Sequence, residues 1–228
     1  MKHQSAYAFL LGRAPIASTT MLTQPNACRA FFVADRGACS ARRRLACALI
    51  VIACANGLSA EAAVTPAPPA FVQAELGPCR LAGRGDFTGW GLTLYRASLW
   101  VGAAGFEAGS ITQQSFALQL RYTLDLRGER IADKSAELMA SMDAGTAARR
   151  EQWRQRMRAV FPDVRSGDTL TGIYRADQAL TRFFVDGRPL GAIAGADFAR
   201  AFFDIWLSPR SPDPSLRRKL LAGTSTAP

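Results

Sequence analysis

Histidine is almost missing from this chain. Of 228 residues only His3 is one, and it lies ahead of everything that reads as folded. A nucleophile paired with an imidazole base, in the Ser-His-Asp or Cys-His manner, is thereby excluded, and so is a histidine-ligated zinc site. Cysteine is scarce in the same uneven way: Cys28, Cys39, Cys47 and Cys54 fall in the first sixty residues, which leaves Cys79 alone afterwards. One cysteine closes no intramolecular disulfide, so a domain carrying it must be held by its core. The apolar run Leu45 to Ala55 falls short of the roughly 20 residues that a membrane-crossing helix needs. A strong charge bias is also lacking once the chain is divided. Of the 28 Lys/Arg and 18 Asp/Glu, residues 1–60 hold seven and one, which leaves 21 against 17, or +4, on residues 61–228. No basic stripe with interleaved aromatics remains there, and this argues against a nucleic-acid partner.

What is present at the N-terminal side is a targeting pattern. Arg42-Arg43-Arg44 precedes the apolar run, and small residues follow with the A-x-A-like site Ala60-Glu61-Ala62. That order predicts a signal peptide over residues 42–62, cleaved after about Ala60 or Ala62, and hence a periplasmic protein. Residues 1–41 are an N-terminal extension, with Met21 or later as an alternative start. Val51-Ile52-Ala53-Cys54 resembles a loose lipobox, and the alternative localisation is a lipoprotein anchored through Cys54.

Residues 63–75 read as the Pro/Ala linker Val64 to Pro69 followed by a first short strand, Phe71 to Leu76. The main domain spans residues 76–222. Strands are predicted over Leu81–Phe87, Leu92–Val101, Phe116–Leu124, Asp168–Arg175, Ala179–Val185 and Leu190–Ile193, with Asp186-Gly187 as a tight turn. Helical spacing marks Gly128–Met142, Thr146–Phe161 with Pro162 as its stop, and Ser215–Leu221. The clearest amphipathic helix opens at Asp197, with Phe198, Ala201, Phe202, Ile205 and Trp206 on one face. Residues 223–228 form a frayed tail. The order of elements predicts an α+β domain with a largely antiparallel sheet, and the 49% apolar content is ample for its core.

The chain is organised around Gly83 to Val101, glycine-rich at first and then alternating, with Leu92 to Val101 expected at the sheet centre. Arg84-Gly85-Asp86 spells an adhesion tripeptide, but three residues recur by chance and nothing else supports adhesion. Gly83, Gly85, Gly89 and Gly91 do not make a dinucleotide fingerprint, because no helix follows the turn. Asp163, Asp168, Asp186 and Asp213 sit at helix stops and turns, where aspartate caps backbone groups. Arg149, Arg150, Arg154, Arg156 and Arg158 make either a solvated helix face or a docking face for an acidic or lipid partner. What remains as chemistry is Arg84 with Tyr95 and Lys134, an arginine fork beside a phenol that suits a carboxylate or phenolate. The alternative for Arg84 is a plain surface strand residue.

Several blocks together resemble the bacterial chalcone isomerase-like proteins. They are Leu94-Tyr95-Arg96-Ala97-Ser98-Leu99-Trp100, Phe116 to Tyr122, Ile131 to Ser135, Trp153 with Phe161-Pro162-Asp163-Val164, Gly167 to Tyr174, Asp186 to Gly191 and Phe198 to Pro209. The likeness runs from about Leu76 to Leu221. It implies an open-faced β-sandwich, a large antiparallel sheet covered on one face by helices, and no cofactor or metal. It also implies a ligand site between sheet and helices. By resemblance Arg84 stands for the family arginine, Tyr95 for the threonine and Lys134 for the lysine. Ile131 and Leu138 replace the tyrosine and asparagine that support cyclisation in the plant isomerases. The expectation is a non-catalytic binder of a small amphipathic ligand, a fatty acid or flavonoid-like molecule. Arg84 and Tyr95 would clamp it, and Ile131, Leu138 and Trp100 would wall it. An isomerase acting on a chalcone-like enone and an envelope interaction protein are the alternatives. Both small-molecule readings are tied to Arg84 facing the cleft.

Overall fold

The computed structural model describes residues 66–89 and 91–224. The signal segment, Cys54 and Trp90 lie outside these residues. The chain enters not as a strand but as a short helix, α1 (Ala70–Leu76). Ala, Gln, Glu and Leu are good helix formers. Pro69 supplies a fixed φ of −57° at the N-cap, and Gly77 ends the helix at φ 72°.

Six strands follow, β1 (Cys79–Gly89), β2 (Leu92–Gly102), β3 (Phe116–Tyr122), β4 (Thr169–Arg175), β5 (Leu180–Val185) and β6 (Arg188–Ala194). They pair antiparallel in sequence order, so the sheet is one six-stranded meander. The expected central place of Leu92–Val101 is therefore corrected: β2 is second from the edge, and β3 and β4 are the middle strands. Between β3 and β4 the chain makes α2 (Gly128–Ser141) and α3 (Ala147–Val160); after β6 come α4 (Ala196–Leu207) and α5 (Pro214–Leu220).

The larger core joins these four helices to one sheet face, where Leu99, Val101, Phe116, Leu118, Tyr174 and Phe183 alternate inward. α4 supplies its centre. Phe198, Phe202 and Phe203 are nearly inaccessible, and they meet Phe116, Phe161 and Phe183 mostly edge-on at 4.7–6.3 Å between ring centroids. Such contacts add to the roughly 1.5–3 kcal/mol that each buried side chain contributes. The opposite face is not bare along its whole length. α1 lays Val72 on Trp100, Ala117, Ile173 and Phe184, with Phe71 against Phe184. Trp100 is thus committed to a small second core, away from the helix-covered face where it was expected to wall the cleft.

The aspartates do local work, as their positions predicted. Asp163 accepts from the Gly128 N–H, Asp168 from Arg165, Asp186 from Thr169, and Asp213 from Ser215 and Leu216 at the start of α5. The arginines of α3 are largely occupied within the molecule. Arg154 and Arg158 both reach Asp133, Arg154 also reaches Glu151, and Arg150 donates to the Ala144 and Gly145 carbonyls. This is a solvated and internally paired face. Gly223, expected in the frayed tail, is tied to β1: its N–H donates to the Ala82 carbonyl, and Arg80 donates to its carbonyl.

Candidate functional site

A cavity of about 80 Å³ lies between the hairpin end of the sheet and helices α2, α4 and α5. Its sheet wall is Phe87, Leu94, Tyr95, Leu120, Tyr122 and Leu170, and α2 contributes Ile131, Lys134, Ser135 and Leu138. Phe202, Ile205, Trp206 and Leu216 close the far side. Leu94 and Tyr95 are consecutive yet both line it. The pairing slips between Phe87↔Tyr95 and Thr88↔Thr93, so β2 carries one extra residue there, and a bulge of this kind turns neighbouring side chains toward one face.

Of the five residues singled out from sequence, Tyr95, Lys134, Ile131 and Leu138 surround this cavity. Arg84 does not. It is exposed and borders a shallow polar depression with Asp86, Arg96 and Lys219. The reason lies in the glycines beside it. α5 crosses β1 so closely that a Cβ on Gly83 would sit 2.1 Å from the Lys219 carbonyl oxygen, and one on Gly85 would sit 2.9 Å from Leu216 Cδ1. Positions 83 and 85 therefore face the helix, and strand alternation sends Arg84 to the other face. The arginine-clamped form of both small-molecule readings is lost. The cavity itself does not depend on Arg84.

The polar groups of the cavity are few. Lys134, on α2, keeps its side chain 12% exposed, and its Nζ lies 2.9 Å from Glu137, which is 58% exposed. Trp206 Nε1 donates to the Tyr95 hydroxyl at 3.0 Å, holding that phenol against α4. The Tyr95 ring stacks on Phe87 at 4.9 Å and meets Tyr122 edge-on at 5.9 Å. Ser135 and Ser211 donate to the Ile131 and Ile205 carbonyls, and Asp213 is used as a cap. What the cavity offers a ligand is an apolar lining with one ammonium and two phenols.

Tyr122 lines the cavity although its sequence pattern alone did not single it out. It pairs directly with Tyr95 across the β2–β3 ladder. The signal was available: Tyr122 continues the inward alternation Phe116, Leu118, Leu120, and a phenol ending such a row must sit in the core or line a cavity. Burial holds its proton on well above the ordinary phenol range. The unfolded chain releases that proton near pH 10, so stability conferred by the protonated phenol is full below that pH and falls as pH rises beyond it. Thermal melting from pH 8 to 11 should show a steep alkaline loss in wild type and a shallower one in Tyr122→Phe, with the similarly raised Tyr174 accounting for the remainder. Parallel curves would show that Tyr122 is not the group responsible.

Among the described residues no cluster of His, Cys, Asp or Glu could hold a metal ion, and no helix is long and apolar enough to cross a membrane. No curated protein matches the sequence. Among solved structures, the fatty-acid binding protein of Arabidopsis thaliana superposes with a TM-score of 0.52 at 13% identity, over 65% of this chain and 89% of that one. At that identity the likeness is one of fold. The sequence profile described as chalcone isomerase-like matches residues 68–222, taking in α1 as well as everything from β1 to α5. The chain belongs to the chalcone isomerase-like family.

Proposed function

We propose that the protein is a non-catalytic binder of a fatty acid or similar small amphipathic ligand. The acyl chain would lie among Leu94, Leu120, Ile131 and Leu138, and the carboxylate would meet Lys134 and the phenols of Tyr95 and Tyr122. The observation that carries this reading is the single ammonium of Lys134 set in an otherwise apolar lining. Its present ion-pair partner, Glu137, is mostly exposed, and such pairs contribute little, roughly 0–1 kcal/mol. A ligand carboxylate in the less polar interior is a stronger partner. Family membership and the fold shared with a fatty-acid binding protein support the same reading.

The volume sets a condition. Sites for ligands of this size occupy roughly 300–1,000 Å³, so a cavity of about 80 Å³ must widen on binding. The turn Ser211 to Asp213 is the element to move, because it closes the cavity from outside the sheet and the helices, whereas Leu126, the other loop residue of the lining, is bridged to Val164. Export through the signal peptide to the periplasm, with anchoring through Cys54 as the alternative, completes the proposal.

The test is to purify the protein, extract it and identify bound lipids by mass spectrometry, and then to titrate the stripped protein with C12 to C18 fatty acids. Saturable one-to-one binding with micromolar or tighter affinity is expected. No saturable binding across the series overturns the reading. Stereoselective cyclisation of a chalcone well above the solution rate would instead overturn its non-catalytic part, against the expectation from Ile131 and Leu138.

A further inference from the structure

The outer face of the sheet, opposite the four-helix layer, is divided in two. One half lies under α1. On the other half the register sets Asp86, Arg96 and Arg121 in one cross-strand row, and Arg84, Ser98 and Gln119 in the next. Arg84, Arg96 and Arg121 are all exposed, and Lys219 reaches the same depression from the end of α5. Four cations thus meet one carboxylate, that of Asp86, which is bonded to Arg96 at 2.7 Å. Among the described residues neither Arg84 nor Arg121 makes an ion pair. Arg96 and Arg121 stand directly opposite one another, a relation unfavourable for like charges on a sheet; Asp86 offsets Arg96, and no carboxylate among the described residues pairs with Arg121. The contrast with α3 is instructive, since two of its arginines are paired with Asp133.

From this face we infer that the β1–β2–β3 end of the molecule docks on an anionic lipid surface. Residues 1–60 are no substitute for that occupant, because they hold seven Lys/Arg against one Asp and repeat the sign of the patch. A bilayer fits better than a single acidic group. The cations spread over three strands and a helix end, and the depression that Arg84, Arg96 and Lys219 border is too open to enclose one ligand. At the tip of the same hairpin Leu92 is 58% exposed, the one large apolar side chain so exposed among the described residues. The charge on this face falls off at its β4 side, where the row ends in Thr169 and the nearby Asp168 and Asp186 serve turns. Docking rests on the arginine face alone. Its use, passing an amphipathic ligand between bilayer and cavity, rests on the reading of the cavity given above.

The experiment is co-sedimentation of the full exported chain, stripped of lipid, with vesicles. One set is pure phosphatidylcholine; the other contains phosphatidylglycerol at about one part in three. Wild type should bind the anionic vesicles and release them at high salt. Each arginine near such a surface contributes about a fivefold factor in partitioning, so Arg84→Glu with Arg121→Glu should lower it at least tenfold. Arg156→Glu with Arg188→Glu, the same change of net charge on other exposed surfaces, should stay within about twofold. Equal loss in both pairs, or no preference of wild type for anionic vesicles, overturns the inference. So does retention on a polyglutamate matrix without vesicle binding, which would assign the face to an acidic protein. Fatty-acid titration of the Arg84/Arg121 variant should match wild type, which separates failure here from failure of the cavity reading.

Discussion

Lys134→Met should lower fatty-acid affinity by about 10- to 100-fold, and Arg84→Ala should leave it within about twofold. Hydrogen bonds to charged groups contribute roughly 1.5–3 kcal/mol, and each 1.4 kcal/mol is a factor of ten. Lys134 is the one ammonium in the cavity wall, while Arg84 stands on the other face of the sheet. Methionine keeps the apolar stem of lysine, so the wall is preserved. The partner left behind, Glu137, is 58% exposed and keeps its water, so no buried charge is stranded and the fold survives. Calorimetric titration of both variants, with melting curves as the control, decides the matter. If Arg84→Ala lost the affinity and Lys134→Met kept it, the clamp would be on the wrong face here and the cavity would not be the site.

The second large effect is on stability. Gly128→Ala should cost more than about 3 kcal/mol and lower the melting temperature by roughly 10 °C or more. Gly128 opens α2, and a Cβ there would lie 2.1 Å from the Phe161 carbonyl oxygen and 2.6 Å from that of Pro162. Both are backbone atoms and cannot rotate away, so the segment after α3 must shift. That shift strains three things at once: the Gly128 N–H to Asp163 bond at 2.9 Å, the paired bonds between Leu126 and Val164, and the seat of Phe161 against Phe183 and Phe202. Gly102→Ala is the control, since an added Cβ there meets nothing within 4 Å. A change below about 1 kcal/mol at Gly128 would mean that the α2–α3 layer is softer than its contacts imply.

How far the sequence reaches can be judged from particular residues. The helix spacing of Phe198, Phe202 and Trp206 and the alternation of Phe116, Leu118 and Leu120 depend only on periods of 3.6 and 2, and both elements lie where those periods put them. The Asp186-Gly187 turn and the capping role of Asp213 are likewise local chemistry. Phe71 to Leu76, expected as a strand, lies in a helix, because so few residues show too little of either period. Its docking on Trp100 and Phe184 is a long-range contact that no local pattern announces.

Arg84 shows the limit most sharply. Its sequence, an arginine between glycines, suggested a side chain given room to enter a site. The glycines are there for α5, whose backbone comes within van der Waals reach of β1, and the arginine points away as a consequence. Sequence by itself determined most of the strands and helices, because each follows from neighbours along the chain, and the family resemblance named four of the residues around the cavity, Tyr95, Ile131, Lys134 and Leu138. Only the tertiary structure decided which face each strand residue takes at the β2 bulge, that Tyr122 stands beside Tyr95, and that Lys134 lines the cavity without Arg84, which stands on the opposite face with Arg96 and Arg121. Those outcomes depend on register and on how closely a helix some 130 residues later packs against β1.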